Sequence, residues 1–148
     1  MQSTVKTIDY GGEAVVANPS NPNHFMVLEP VQGVASAQAG GITIASSSRA
    51  LLVRETATTA FEPVVYFPPE DVRAEFLNLV DKTSQCPLKG TASYYDINTD
   101  TLIRNGAWQY KSTLAFDPML ARIECCVAFD RRFVTINLSN FNPNGKEQ

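Results

Sequence analysis

Short runs of β-branched and aromatic residues, each closed by glycine, proline or asparagine, recur along the chain, and this punctuation restricts it to a fold of many short strands. Ile42-Thr43-Ile44-Ala45 follows the Gly40-Gly41 turn, residues 49–54 form another run, and Val64-Val65-Tyr66-Phe67 lies between prolines. Residues 25–28 read as the first strand. Ala92-Ser93-Tyr94-Tyr95-Asp96-Ile97 and Thr101-Leu102-Ile103-Arg104 pair through Asn98-Thr99-Asp100, and Asn105-Gly106 reads as a turn into Ala107-Trp108-Gln109-Tyr110, completing a three-stranded meander. Residues 126–129 and 133–138 suit a final hairpin across Asp130-Arg131-Arg132.

One stretch changes period. Val72, Phe76, Leu79 and Val80 fall at i, i+4, i+7 and i+8, after Pro69, Glu70 and Asp71 in the positions a first helical turn favours. The spacing predicts one principal helix over about residues 69–80, with a single further turn starting at Asp117-Pro118. The expected class is therefore mainly β, at the margin of α+β, with antiparallel sheet curling around a core. At 148 residues one domain is the default. The turn formers Asn18-Pro19-Ser20-Asn21-Pro22-Asn23 suggest a polar, loosely ordered leader over 1–24, a domain over 25–140 and a frayed tail over 141–148.

Twelve Lys and Arg against fifteen Asp and Glu give a formal charge of −3, and no basic cluster exists beyond Arg131-Arg132, so no nucleic-acid partner is expected. No apolar run has the length of an export signal or a membrane span. Three cysteines, an odd number, then suit free thiols in a reduced, cytoplasmic setting, with no membrane partner.

The segment Cys86-Pro87-Leu88-Lys89-Gly90 carries the densest chemistry. A thiolate is favoured by nearby positive charge, and Lys89 lies three residues from Cys86, so these two are the candidate catalytic pair. Lys89 and the backbone around Gly90 are also suited to holding an anion. The plainer alternative is a small buried Cys86 in a loop shaped by Pro87 and Gly90. Trp108 and Tyr110 alternate onto one strand face, near Tyr66, Tyr94 and Tyr95, and such a face stacks a planar ligand unless it is simply core. Arg49 and Glu55 are evenly spaced across a strand and suit an ion pair on one face. Adjacent Cys125 and Cys126 point apart, no C-x-x-C spacing exists, and no metal site or cofactor is expected. His24, the single histidine, falls in the polar leader without a recognisable partner, which disfavours Cys-His catalysis. Neither a phosphate loop nor paired magnesium-binding carboxylates are present, which disfavours nucleotidyl transfer.

Taken in order, Ile44-Ala45-Ser46-Ser47-Ser48-Arg49-Ala50-Leu51, Glu55-Thr56, Val65-Tyr66-Phe67-Pro68-Pro69-Glu70-Asp71-Val72-Arg73, Cys86-Pro87-Leu88-Lys89-Gly90-Thr91-Ala92-Ser93-Tyr94-Tyr95, Ala107-Trp108-Gln109-Tyr110 and Val127-Ala128-Phe129 resemble the DUF427 family over about residues 25–138. That family has no established activity and sometimes carries a nucleotidyltransferase label. The resemblance implies a compact antiparallel fold akin to the β-tent, or Mss4-like, group, and matches Arg49, Glu55, Tyr66, Asp71, Cys86, Lys89, Gly90, Tyr94, Trp108 and Tyr110 to the family pattern. The chain departs from it at Leu88, at Phe61-Glu62-Pro63 and at Phe129-Asp130-Arg131-Arg132.

Three readings follow. In the first, Arg49, Glu55, Tyr66, Lys89, Gly90, Tyr94, Trp108 and Tyr110 bind a small polar or planar ligand in an aromatic-lined pocket. In the second, Cys86 is a nucleophile or redox thiol supported by Lys89. In the third, a sheet edge or aromatic face forms a homodimer.

Overall fold

A computed structural model describes residues 9–10, 13–114 and 117–139, with the side chains of residues 9–14 left aside. Its strands are β1 (Asp9–Tyr10), β2 (Glu13–Asn18), β3 (Asn21–Pro30), β4 (Ala35–Ala39), β5 (Ile42–Ser47), β6 (Leu51–Thr56), β7 (Val64–Tyr66), β8 (Leu77–Cys86), β9 (Gly90–Asn98), β10 (Leu102–Gln109), β11 (Val127–Phe129) and β12 (Thr135–Leu138). They form three antiparallel sheets, ordered β1-β2-β3-β6-β7, β11-β10-β9-β8 and β12-β4-β5. The mainly β class is as the sequence indicates.

Two clusters of buried side chains hold the sheets together. Val16, Met26, Leu28, Leu51, Val53, Tyr66, Leu88, Ala92, Leu120, Ile123 and Ala128 pack in one. Ala37, Ile44, Val65, Phe67, Ile97, Ala107, Val127, Phe129 and Val134 pack in the other. Strands β7 and β11 lie at the seam. Tyr66 and Ala128 face the first cluster while their chain neighbours face the second, so both faces of these strands are buried. That is why both strands read as unbroken apolar runs rather than alternating ones. Phe67 and Val127 exchange two backbone hydrogen bonds of 2.8 Å, and the Phe67 and Phe129 rings meet edge to face, 5.6 Å apart.

The expected helix over 69–80 does not form. Pro69–Asp71 and Ala74–Phe76 are single 3₁₀ turns, and the chain then extends into β8, a ten-residue strand paired with β9. Four apolar matches in nine residues are a weak helical signal, and isolated helices this short are marginal without packing. Leu79, which that helix would bury, is 59% exposed, whereas Arg73 donates its backbone N–H to Ile44 and so draws the segment onto β5. The turn at Asp117 does form. Pro118–Ile123 is a 3₁₀ segment whose first turn is capped by the Asp117 carboxylate accepting from the Met119 N–H.

Three further expectations are corrected. The turn-forming cluster after Asn18 is not a loose leader: it closes the β2–β3 hairpin, whose Val16, Met26 and Leu28 are fully buried. The sheet thus begins before Phe25, while residues 1–8 and the tail over 141–148 lie outside the described residues. Asn105-Gly106 is a bulge inside the single strand β10, not a turn between two strands. Asn105 takes a left-handed φ of 54° and donates its N–H to the Asp96 carboxylate, and a Cβ on Gly106 would lie 2.7 Å from both Ile97 and Ile103. Finally, β11 and β12 do not pair with each other. β11 lies against β10 and β12 against β4, because the apolar face of β11 is needed at the seam.

Candidate functional site

Alternation along two neighbouring strands converges on one buried spot. His24, Met26 and Leu28 on β3 are all buried, as are Leu51 and Val53 on β6, and Glu55 continues the latter row opposite Met26. At this end of the sheet the apolar rows therefore finish in a histidine and a carboxylate. The hairpin joining β8 to β9 caps the same end, and its turn, Pro87-Leu88-Lys89, drops Leu88 into the core with no exposed surface. Asn18 of the β2–β3 turn donates through its side-chain amide to the Pro87 carbonyl at 3.3 Å, tying the two hairpins together.

Lys89 is 4% exposed, and its ammonium donates to Oε1 of Glu55 in a very short contact. The other oxygen, Oε2, lies 2.7 Å from His24 Nε2 and 4.0 Å from Cys86 Sγ, which donates to it. Cys86 Sγ in turn accepts the Lys89 backbone N–H at 3.4 Å. Gly90 makes this geometry possible. Its φ of +126° is closed to other residues without strain, and a Cβ there would sit 3.2 Å from the Ser112 carbonyl. The Lys89 ammonium also lies 5.7 Å from the centre of the Tyr110 ring.

Electrostatics follow from the burial. Loss of water pushes the Glu55 carboxyl up, but the Lys89 charge and the hydrogen bonds from Lys89 and His24 outweigh it and hold Glu55 below the ordinary glutamate value. Burial likewise opposes the Lys89 ammonium, and its neighbours Tyr66, Glu55 and Cys86 more than reverse that, leaving its pKa raised. Burial raises the Tyr66 and Tyr110 phenols, and raises Cys126 to about 11, so that Cys126 is an inert core thiol. All three cysteines are free.

The expected site residues separate into three places. Glu55, Cys86, Lys89 and Gly90 come together with Tyr66 and Tyr110, which are core side chains at 2% and 6% exposure. Tyr94 and Trp108 are half-buried, with ring centres 6.3 Å apart; they pack against the edge of the first cluster and line cavities of their own. Trp108 joins the two groups by donating its indole N–H to the Tyr66 hydroxyl at 3.4 Å. The four aromatics therefore do not floor one pocket. Arg49 is elsewhere: its side chain is 58% exposed and binds Glu70 at 2.6 Å and Asp71 at 3.3 Å, so the expected pairing with Glu55 is replaced by Lys89.

Cavities open on either side of this arrangement. One of ≈ 360 Å³ is bordered by Gln85, Cys86, Pro87, Thr91, Thr113 and Leu114. Two others, of ≈ 510 and ≈ 480 Å³, flank Trp108 and share Asp130 and Arg132; Arg131 lines the first, and Lys82, Tyr94 and Arg104 the second. His24 and the cations around Trp108 are the residues that sequence reasoning missed. His24 was readable from its even spacing to Met26 and Leu28, which shares the burial of their face.

Fold and site together define a β-sheet domain with a buried carboxylate held by lysine and histidine beside a cysteine. The chain belongs to the DUF427 family: the family model, described as a domain of unknown function, matches residues 27–140. Glu55, Cys86 and Lys89 fall inside that span, while His24 precedes it. No curated protein matches the chain. Among the described residues no helix is long and apolar enough to cross a membrane.

Proposed function

We propose that this domain binds a small polar molecule in the cavity beside Cys86 and acts on it through that thiol. The observation that carries the reading is the position of Cys86: it borders a ≈ 360 Å³ cavity while its sulfur touches a carboxylate fixed from two other sides. Lys89 supplies the positive charge that favours the Cys86 thiolate, and Glu55, held by Lys89 and His24, fixes the thiol in place. A thiol so placed attacks an electrophilic centre presented in the cavity, and its proton passes to solvent. The test is competitive alkylation of the metal-free protein by iodoacetamide, read residue by residue in a mass spectrometer. Cys86 is expected to react about tenfold faster than half-buried Cys125, and the excess is expected to vanish in Lys89→Met. Equal rates at Cys86 and Cys125 would sink the reading.

A second reading is favoured by the two cavities around Trp108. Lys82, Arg104, Arg131 and Arg132 surround an indole and a phenol there, against Glu62 and Asp130, which suits a planar anion stacked on Trp108. Since the chain has one tryptophan, quenching of its fluorescence by an aromatic sulfonate such as pyrenesulfonate, and loss of that quenching in Arg132→Ala, is the direct check.

A further inference from the structure

His24, Glu55 and Cys86 bring three different metal-ligating atoms to one place, all within 4.8 Å of one another. They come from three strands, β3, β6 and β8, so no spacing motif reveals them. A tetrahedral zinc ion needs nitrogen and oxygen donors about 3.3 Å apart, and sulfur about 3.5 Å from either. Here the histidine nitrogen and carboxylate oxygen are 2.7 Å apart, and the sulfur is 4.0 Å from that same oxygen. For these two pairs adjustments of about half an ångström separate the two geometries, and the histidine nitrogen lies within 4.8 Å of the sulfur.

We propose that His24 Nε2, Glu55 Oε2 and Cys86 Sγ form a binding site for a divalent transition metal of zinc-like softness. The mixed nitrogen, oxygen and sulfur set excludes magnesium and calcium, which take oxygen donors. Lys89 occupies the other carboxylate oxygen and so leaves Oε2 as the donor, the role that a hydrogen-bonded outer partner plays at metal carboxylates. Without metal, Oε2 is served by His24 and the Cys86 thiol. On binding, the Cys86 S–H bond breaks, the sulfur–metal bond forms and the proton passes to solvent, while the Nε2 proton that His24 gives to Glu55 leaves for solvent or for Nδ1 and frees the Nε2 lone pair. Three protein ligands leave a tetrahedral ion one position short, the arrangement of reactive rather than structural zinc, and the cavity bordered by Cys86 is a route for a fourth ligand.

The inference shares its site with the thiol reading but does not depend on Cys86 acting as a nucleophile. The probe is cobalt(II), added to the EDTA-treated full chain and followed by absorbance. One ion per chain is expected, with a near-ultraviolet thiolate-to-cobalt band that zinc abolishes and with proton release in weak buffer. The band should disappear in Cys86→Ser, survive in the Cys125→Ser/Cys126→Ser double variant, and form about tenfold more weakly in Lys89→Met. His24→Ala and His24→Gln, each checked for folding by circular dichroism, should both lower cobalt affinity at least about tenfold. No band in the wild-type chain, or a band that outlives Cys86→Ser, overturns the site. Alkylation separates the two readings: fast reaction of metal-free Cys86 without cobalt binding leaves only the thiol proposal, and cobalt binding with slow alkylation leaves only the metal site.

Discussion

Around Glu55, four polar side chains are packed almost out of water and each is satisfied by another; around Trp108, polar and aromatic side chains of similar number face open cavities and are only partly committed. The first region includes the side chains of Lys89 and Glu55 at 6% and 17% exposure, whereas the Arg132 side chain in the second is 79% exposed although it binds Asp130 at 2.7 Å. The same kind of contact, cation to carboxylate, therefore has very different consequences. In the buried region breaking a pair strands a charge where water cannot replace the partner; in the exposed region water does so at once. The single bond from Trp108 to Tyr66 is where the two regions meet.

The largest expected effect comes from unbalancing the buried region. Lys89→Met should cost about 3 kcal/mol in urea denaturation, because Glu55 loses its main counter-charge, and Glu55→Gln should cost a similar amount by stranding Lys89. The double variant should cost much less than the sum. Simple additivity in that cycle would mean the two residues are not coupled, and the contrast between the regions would collapse. Next in size is Gly90→Ala, where a side chain at φ +126° must strain the hairpin; about 2 kcal/mol and slower cobalt uptake are expected.

The pH dependence has a defined sign. Glu55 is held below its ordinary value of 4.5 in the folded protein, so its contribution is present above that pH and is lost as pH falls through the folded value. Lys89 is held above its ordinary 10.5, so its contribution is complete below that pH and is lost as pH rises through the folded value. Metal-free wild-type protein should lose stability at both extremes, and the Glu55→Gln/Lys89→Met variant should show a flatter profile between them. An unchanged profile in the variant would assign the titration to other groups. The smallest effect is expected at the surface: Arg132→Ala should leave the urea midpoint unchanged while still altering the fluorescence response of Trp108 to anions.

Strand content was legible wherever local pattern and tertiary demand agreed. Residues 42–45, 64–66 and 92–97 carry β-branched or aromatic side chains and sit in sheets, as their composition indicates. Residues 72–80 mislead because their apolar spacing is set by two 3₁₀ turns and a strand edge, and only the pairing of β8 with β9 decides the outcome. Asn105-Gly106 misleads for a related reason: a left-handed residue followed by glycine serves a turn and a bulge equally well, and the partner strand selects between them. At the candidate site, Cys86, Lys89 and Gly90 stood out by proximity in sequence. Glu55 stood out as well, but with the wrong partner, since a contact between residues thirty-four positions apart leaves no local trace. His24 was discounted because its neighbours are turn formers, although those same residues close the hairpin that carries it inward.

The seam formed by β7 and β11 has a consequence for how the molecule comes apart. Because each of these strands contributes to both buried clusters, and Phe67 and Val127 lock them by two backbone bonds, neither cluster has a boundary along which it can open alone. Amide hydrogens on the two sides should then exchange through one shared opening event instead of two, and a tryptophan signal from β10, where Trp108 packs on the first cluster, should report the melting of the β4–β5 hairpin, whose Ala37 and Ile44 lie in the second, as faithfully as that of its own sheet.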